Sequence, residues 1–208
     1  MLGIHHFALF LTTGILLNLT PGPDTAYILG RSIAQGRRAG VASALGISVG
    51  SIVHTTAAAL GLSAFLATSG WAFSAVKLIG GAYLVFLGIR ALLSSPGRLH
   101  LPSRFAGTET AAAFRQGILT NVLNPKVALF FLAFLPQFID PSAPAKVPAF
   151  LLLGFTFVTT GTLWCLVLAC FASALSEKFR GSTTIATMLN RAVGSLFVFL
   201  GVRLAVSR

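Results

Sequence analysis

Long apolar stretches separated by short polar connectors dominate the chain. Six runs stand out, at roughly residues 4–30, 40–67, 71–93, 115–139, 147–175 and 186–206. Each is near or above the roughly 20 residues that an α-helix needs to cross the hydrocarbon of a bilayer. The first run is interrupted near 20–24 and the fourth at 124–125. Nothing alternates with the period of two that a transmembrane β-strand requires. The pattern predicts an all-α membrane protein with six transmembrane helices.

Composition agrees. Hydrophobic residues make up 55% of the chain and charged ones 9%, against about 25% charged in an ordinary soluble domain. Fifteen basic and four acidic side chains in 208 residues cannot coat a soluble globule, which excludes a soluble enzyme. The net charge of +11 would suggest nucleic acid as a partner if the charges formed a patch. They lie instead between the apolar runs, so no nucleic-acid partner is expected and the lipid bilayer is the surrounding medium.

The placement of the basic residues sets an orientation. Arg31, Arg37 and Arg38 follow the first run; Arg90, Arg98, Arg104 and Arg115 flank the connector after the third; Lys178, Arg180 and Arg191 lie after the fifth. Only Lys146, Arg203 and Arg208 fall on the opposite side. Basic connectors stay cytoplasmic, so both termini are expected to face the periplasm of a bacterial inner (plasma) membrane. Trp71 opens the third run where an interfacial aromatic anchor belongs. The stretch Met1–Thr20 contains no Lys or Arg and reads as a retained span rather than a cleaved signal peptide. Cys165 and Cys170 are five apart within one run, point to different sides of a helix, and read as small hydrophobes.

An internal repeat is visible. GAYLVFLGIRALLS (81–94) and GSLFVFLGVRLAVS (194–207) share Gly, Val, Phe, Leu, Gly, Arg and Ser at a shift of 113. LTPGPDTAYIL (19–29) loosely matches LNPKVALFFL (123–132), with Pro21 near Pro125. Each half then holds three spans. Three is odd, so the second copy enters the membrane the opposite way, an inverted-topology repeat of the kind secondary transporters use. The expected units are residues 1–93, a cytoplasmic linker at 94–114, and residues 115–208.

The two interruptions carry the candidate chemistry. In Asn18-Leu19-Thr20-Pro21-Gly22-Pro23-Asp24 two prolines remove amide donors and clash with preceding carbonyls. Backbone freed at membrane depth must be covered by protein or line a wet cavity. Asp24 is an ion, proton or amine site, or the cap of a helix resuming at Thr25, or both. In Asn121-Val122-Leu123-Asn124-Pro125-Lys126, Pro125 breaks the helix and Asn124 can bond the freed backbone. The resuming helix end and Lys126 suit a carboxylate. Alternatively, Lys126 pairs with Asp24, or snorkels to the surface.

The second run supplies a column of small residues, Ala42, Gly46 and Gly50, ending in His54. Such columns allow close helix packing. His54 suits proton coupling, or a plain bond to a backbone carbonyl. Ser48, Ser51 and Thr55 share an adjacent face that could line a polar path. Lys77 reads as interfacial or as a cavity residue, and Trp164 as core or as cavity wall. Of the four histidines only His54 lies within the apparent membrane core, and both cysteines sit on the fifth run rather than on the broken first and fourth, so no metal and no cofactor are expected.

NLTPGPD in the first span, KLIGGAYLVFLGIRALL in the third and FRQGILTNVLNPKVALFFLAFLPQF in the fourth together resemble the LysE/RhtB-type amino-acid exporters of the lysine exporter superfamily. The resemblance runs along essentially the whole chain. It implies a secondary transporter that exports amino acids or derivatives from the cytoplasm using the proton gradient, and not an enzyme. The substrate would lie between the broken helices, with its carboxylate on Lys126 and nearby N–H groups. Its amine would meet carbonyls near Pro21 with Asn18 or Asp24. Asn18, Pro21, Gly22, Pro23, Asp24, Asn121, Asn124, Pro125 and Lys126 are the expected substrate-binding residues, and Asp24 and His54 the proton-coupling candidates. With one acid in the apparent membrane core, a dibasic substrate lacks a second carboxylate, and a neutral amino acid is favoured. An uncoupled channel or facilitator is the alternative, and a homodimer is left open.

Overall fold

The computed structural model describes residues 2–62 and 110–181, with isolated helical positions within 78–93 and 191–202. Among the described residues there are six α-helices and no strand beyond an isolated bridge between Ile4 and Ile139. The third and sixth runs, Trp71, Lys77, the 81–94/194–207 repeat and most of the 94–114 linker lie outside the continuous described segments.

Helix α1 spans Phe7–Leu19 and α2 spans Pro23–Gln35. At thirteen residues, α1 rises about 20 Å, too short alone for the hydrocarbon. Thr20 ends it with its hydroxyl on the Leu16 carbonyl at 2.7 Å. Pro23 opens α2 at a first-turn position, where its missing N–H costs nothing. A single glycine, Gly36 at φ +84°, separates α2 from α3, Arg37–Ala57. That left-handed backbone suits glycine and lets the chain reverse at once.

A π turn, Ala58–Leu62, extends α3. Helix α4, Thr110–Val122, starts five residues before the apolar run because Thr110-Ala111-Ala112-Ala113 precedes it and alanine is the best helix former. Helix α5, Pro125–Leu129, continues as a π turn, Phe130–Phe134, and a 3-10 turn, Leu135–Phe138. The chain bends by 47° between α4 and α5. Helix α6, Lys146–Gly181, is 36 residues long and leaves helical geometry at Phe171 (φ −111°, ψ 17°). Among the described residues, two helices, Arg37–Gly61 and Lys146–Ala172, are long and apolar enough to cross a membrane, or three if the bent α4–α5 pair counts as one.

Packing places a core on each side of the breaks. Phe10 of α1 meets Phe130, Phe134 and Phe138 at centroid distances of 5.3–6.5 Å, and Phe130 stacks on Phe157 of α6 at 4.4 Å. A second cluster joins Tyr27, Ile28 and Leu29 to Ala44 and Ile47 of α3 and to Cys165 and Leu168 of α6. Large apolar side chains such as Leu60, Leu123, Leu163 and Phe171 remain exposed outside, as suits helices solvated by lipid.

Helices α3 and α4 approach backbone to backbone. A Cβ on Gly46 would lie 2.1 Å from the Phe114 carbonyl oxygen, and one on Gly117 would lie 2.6 Å from that of Ser43. The small-residue column of the second run is therefore a crossing point. At one end of the molecule the N-terminal segment ties to the end of α5, with the His5 N–H on the Phe138 carbonyl at 3.0 Å and the Asp140 N–H on that of Gly3 at 2.8 Å. At the other, Arg31 is 1% exposed. It donates to Tyr27 at 3.2 Å, to Gln35 at 2.7 Å and to Gln116. The first basic connector begins with Arg31 on paper; in the structure Arg31 lies inside α2, because the helix runs on to Gln35.

Candidate functional site

The gaps after α1 and after α4 open onto one cavity whose largely apolar wall is set with polar groups. It encloses about 40 Å³ open to the centre of a water-sized sphere, room for roughly three waters at 10–15 Å³ each. Asn18, Gly22, Asp24 and Thr25 line it from the α1–α2 side, and Asn121, Asn124, Lys126 and Val127 from the α4–α5 side. Ile47, Ser48 and Ser51 of α3 and Phe157, Gly161, Thr162, Trp164 and Cys165 of α6 complete it.

Each break reaches across to the other. Lys126 donates from Nζ to the Thr20 carbonyl at 2.8 Å. That carbonyl is available because the residue four on, Asp24, lies in the first turn of a new helix and its N–H does not turn back to it. In return, Asn121 Nδ2 donates to Asp24 Oδ2 at 2.8 Å. Lys126 and Asp24 are thus each engaged by a neutral group of the opposite break rather than by one another. The chain bends at the second break because Asn124, extended at φ −77°, ψ 108°, accepts the Lys126 N–H on its side chain at 3.1 Å. Asp24 makes no such cap: α2 starts one residue before it, with Gly22 at the N-cap.

Asn121 is the hub. Its Oδ1 accepts from Ser51 at 3.2 Å, and its main-chain carbonyl lies 3.2 Å from His54 Nε2. His54 stacks on Phe131 with centroids 5.8 Å apart. It does not line the cavity and meets it only through Asn121. Gly50 makes this junction possible, since a Cβ there would sit 2.7 Å from Asn121 Cβ. Asn18 turns towards α6, donating to Thr160 at 3.2 Å. Thr162 donates to Ser48 at 2.7 Å.

Of the residues singled out from the sequence, the structure gathers Asn18, Gly22, Asp24, Asn121, Asn124 and Lys126 around the cavity. Pro21, Pro23 and Pro125 shape the breaks without lining it. Ser48 and Ser51 line it; Thr55 does not, and bonds back to the Ser51 carbonyl at 2.9 Å. Trp164 lines it and also packs against the cluster of Tyr27, Ile47 and Leu168, so it is both cavity wall and core. Thr25, Gly161 and Thr162 went unread, because a lone Thr or Gly in an apolar helix carries no signal without its neighbours. The buried Tyr27–Arg31–Gln116 group was also missed. Tyr27 and Arg31 are four apart, a helical spacing that could have flagged it.

Residues 15–208 match the family model described as LysE type translocator. An uncharacterized membrane protein of Vibrio cholerae is 34% identical over 99% of this chain and 98% of its own length. One from Pseudomonas aeruginosa is 30% identical over 99% and 97%. The homoserine/homoserine lactone efflux protein of Salmonella typhimurium is 32% identical over 96% and 95%. No solved structure matches the chain.

Proposed function

The chain belongs to the LysE type translocator family, membrane transporters rather than enzymes, and from that premise we propose that it exports a small neutral amino acid or its derivative from the cytoplasm by proton antiport. The observation that carries this reading is the meeting of the two breaks: one carboxylate and one ammonium face a single cavity, each held by the opposite break. A zwitterion offers the complementary pair of charges. Its carboxylate replaces the Thr20 carbonyl on Lys126, and its amine replaces the Asn121 amide on Asp24. The substrate class draws on the Salmonella relative, whose name gives homoserine and its lactone.

In this reading the α1–α2 and α4–α5 pairs are each one broken span of two inverted three-helix repeats. The cavity as it stands admits water and not an amino acid, so its walls part towards one side at a time. Protonation of Asp24 from the periplasmic side releases the amine and couples export to the proton gradient. The end-to-end contacts support the inner-membrane orientation. Arg31 meets Gln116 at the end that carries Arg37, Arg38 and Arg115, and residues 3–5 meet 138–140 at the other.

Proteoliposomes test it. Wild-type protein is expected to drive labelled homoserine against its gradient when a pH difference is imposed, and to stop when an uncoupler is added. Asp24→Asn keeps an oxygen for Asn121 to bond but removes the charge that holds the amine and mimics the protonated carboxyl, so homoserine counterflow should weaken and pH-driven accumulation should be lost. Pumping by Asp24→Asn equal to wild type removes Asp24 from the coupling step. Wild-type flux that ignores the uncoupler makes the protein a facilitator.

A further inference from the structure

Two of the cavity's buried polar atoms find no partner in the protein: Asp24 Oδ1 and the indole Nε1 of Trp164. They are opposite in kind. A carboxylate oxygen only accepts and an indole N–H only donates. A buried N–H without an acceptor is costly, and the surrounding lipid supplies none.

The neighbouring hydroxyl oxygens do not reach the Trp164 N–H, and their own hydrogens are already placed. Thr162 donates to Ser48 at 2.7 Å, Ser48 to the Ala44 carbonyl at 2.9 Å, and Ser51 to Asn121 Oδ1 at 3.2 Å. What these oxygens still present is lone pairs. The cavity wall built by α3 and α6 is therefore rich in acceptors and, apart from the weak S–H of Cys165, offers one side-chain donor, the indole N–H. The wall built by α5 carries the cation, Lys126.

We propose that Trp164 is a specificity-determining residue whose indole N–H donates to an oxygen on the substrate's side chain. The inference rests on the exporter reading above. The substrate carboxylate goes to Lys126, since a charge at membrane depth calls for an opposite charge. That leaves the neutral indole for the side chain. A side-chain hydroxyl satisfies both halves of the wall: its oxygen accepts from Trp164 and its hydrogen meets a lone pair of Thr162 or Ser48. An ester oxygen satisfies the first half alone. A methyl group satisfies neither and seals the indole N–H from water. Sites built around a hydrogen bond reject the analogue that lacks it.

The test is competition in counterflow between homoserine and norvaline, in which a methyl group replaces the hydroxyl. Wild type is expected to favour homoserine by about tenfold, the upper range for one neutral hydrogen bond. Trp164→Phe keeps an aromatic wall and removes the donor. Its KM for homoserine should rise about tenfold while that for norvaline moves less than twofold. Wild-type preference within twofold overturns the proposal even if the variant does not fold, and leaves the exporter reading standing. An equal loss for both substrates in Trp164→Phe also overturns it, by assigning the indole to packing or to the carboxylate. Counterflow of no amino acid at all sinks the exporter reading and this inference together.

Discussion

Replacing Gly46 by alanine perturbs the contact on which the site's geometry depends. A Cβ there would stand 2.1 Å from the Phe114 carbonyl oxygen and 3.2 Å from Gly117 Cα. Carbon and carbonyl oxygen rest at about 3.3–3.6 Å even in weakly attractive contacts, so α3 and α4 must separate by about 1 Å. The obstructing atoms are backbone on a packed helix, and no rotamer change relieves them. Overpacking costs typically about 1–3 kcal/mol, and this site belongs at the upper end. For a chain of this length, about 3 kcal/mol lowers the melting temperature by roughly 6–12 °C. Gly61→Ala is the control, because a Cβ there meets nothing within 4 Å. It should melt with or slightly above wild type. Thermal unfolding of the detergent-purified proteins, followed by helical circular dichroism, measures both. If Gly46→Ala and Gly61→Ala melt together, α3 and α4 do not cross at this glycine, and the placement of Ser51 beside Asn121 loses its support.

Asn121→Ala leaves Asp24 Oδ2 and the Ser51 hydroxyl without their partner; a loss of about 1–3 kcal/mol together with lost counterflow is expected, and a variant that still transports at the wild-type rate refutes Asn121 as the hub. Phe10→Ala opens a hole among Phe130, Phe134 and Phe138 and should cost about 3–5 kcal/mol in the same melting assay; a cost under 1 kcal/mol would mean that the aromatic cluster does not hold α1. Asp140 lies in the connector between the 3-10 turn that ends at Phe138 and helix α6, where the Ser142 hydroxyl and then its N–H hold the carboxyl below the usual carboxylate range. A depressed value in the folded state stabilises above the ordinary pKa, and that contribution fades as pH falls through the lowered one. Ser142→Ala removes the hydroxyl donor at 2.7 Å, so carboxyl NMR should find the Asp140 midpoint moved up towards an ordinary carboxylate; an unmoved midpoint refutes the assignment.

Much of the architecture was legible before any coordinates. Apolar runs of membrane-crossing length specify helices, since a chain in lipid must satisfy its backbone internally. Proline at 21, 23 and 125 specifies where helices end, since a missing N–H and a ring clash act locally. The column Ala42-Gly46-Gly50-His54 foretold a close crossing, because helical spacing alone puts those residues on one face. Which helix would meet that face was beyond the reach of spacing. The tertiary structure decided that α4 lies there, that Lys126 reaches Thr20 and Asn121 reaches Asp24, and that His54 sees the cavity only through Asn121. It also buried Arg31 within a helix where the charge pattern suggested a surface connector, and brought Thr162 and Trp164 to the wall. Those facts depend on partners 67 to 114 residues apart in sequence. Hydropathy and local backbone chemistry act within a few residues and so are written along the chain, whereas a polar side chain in an apolar helix acquires its role only from the group that packing sets opposite it.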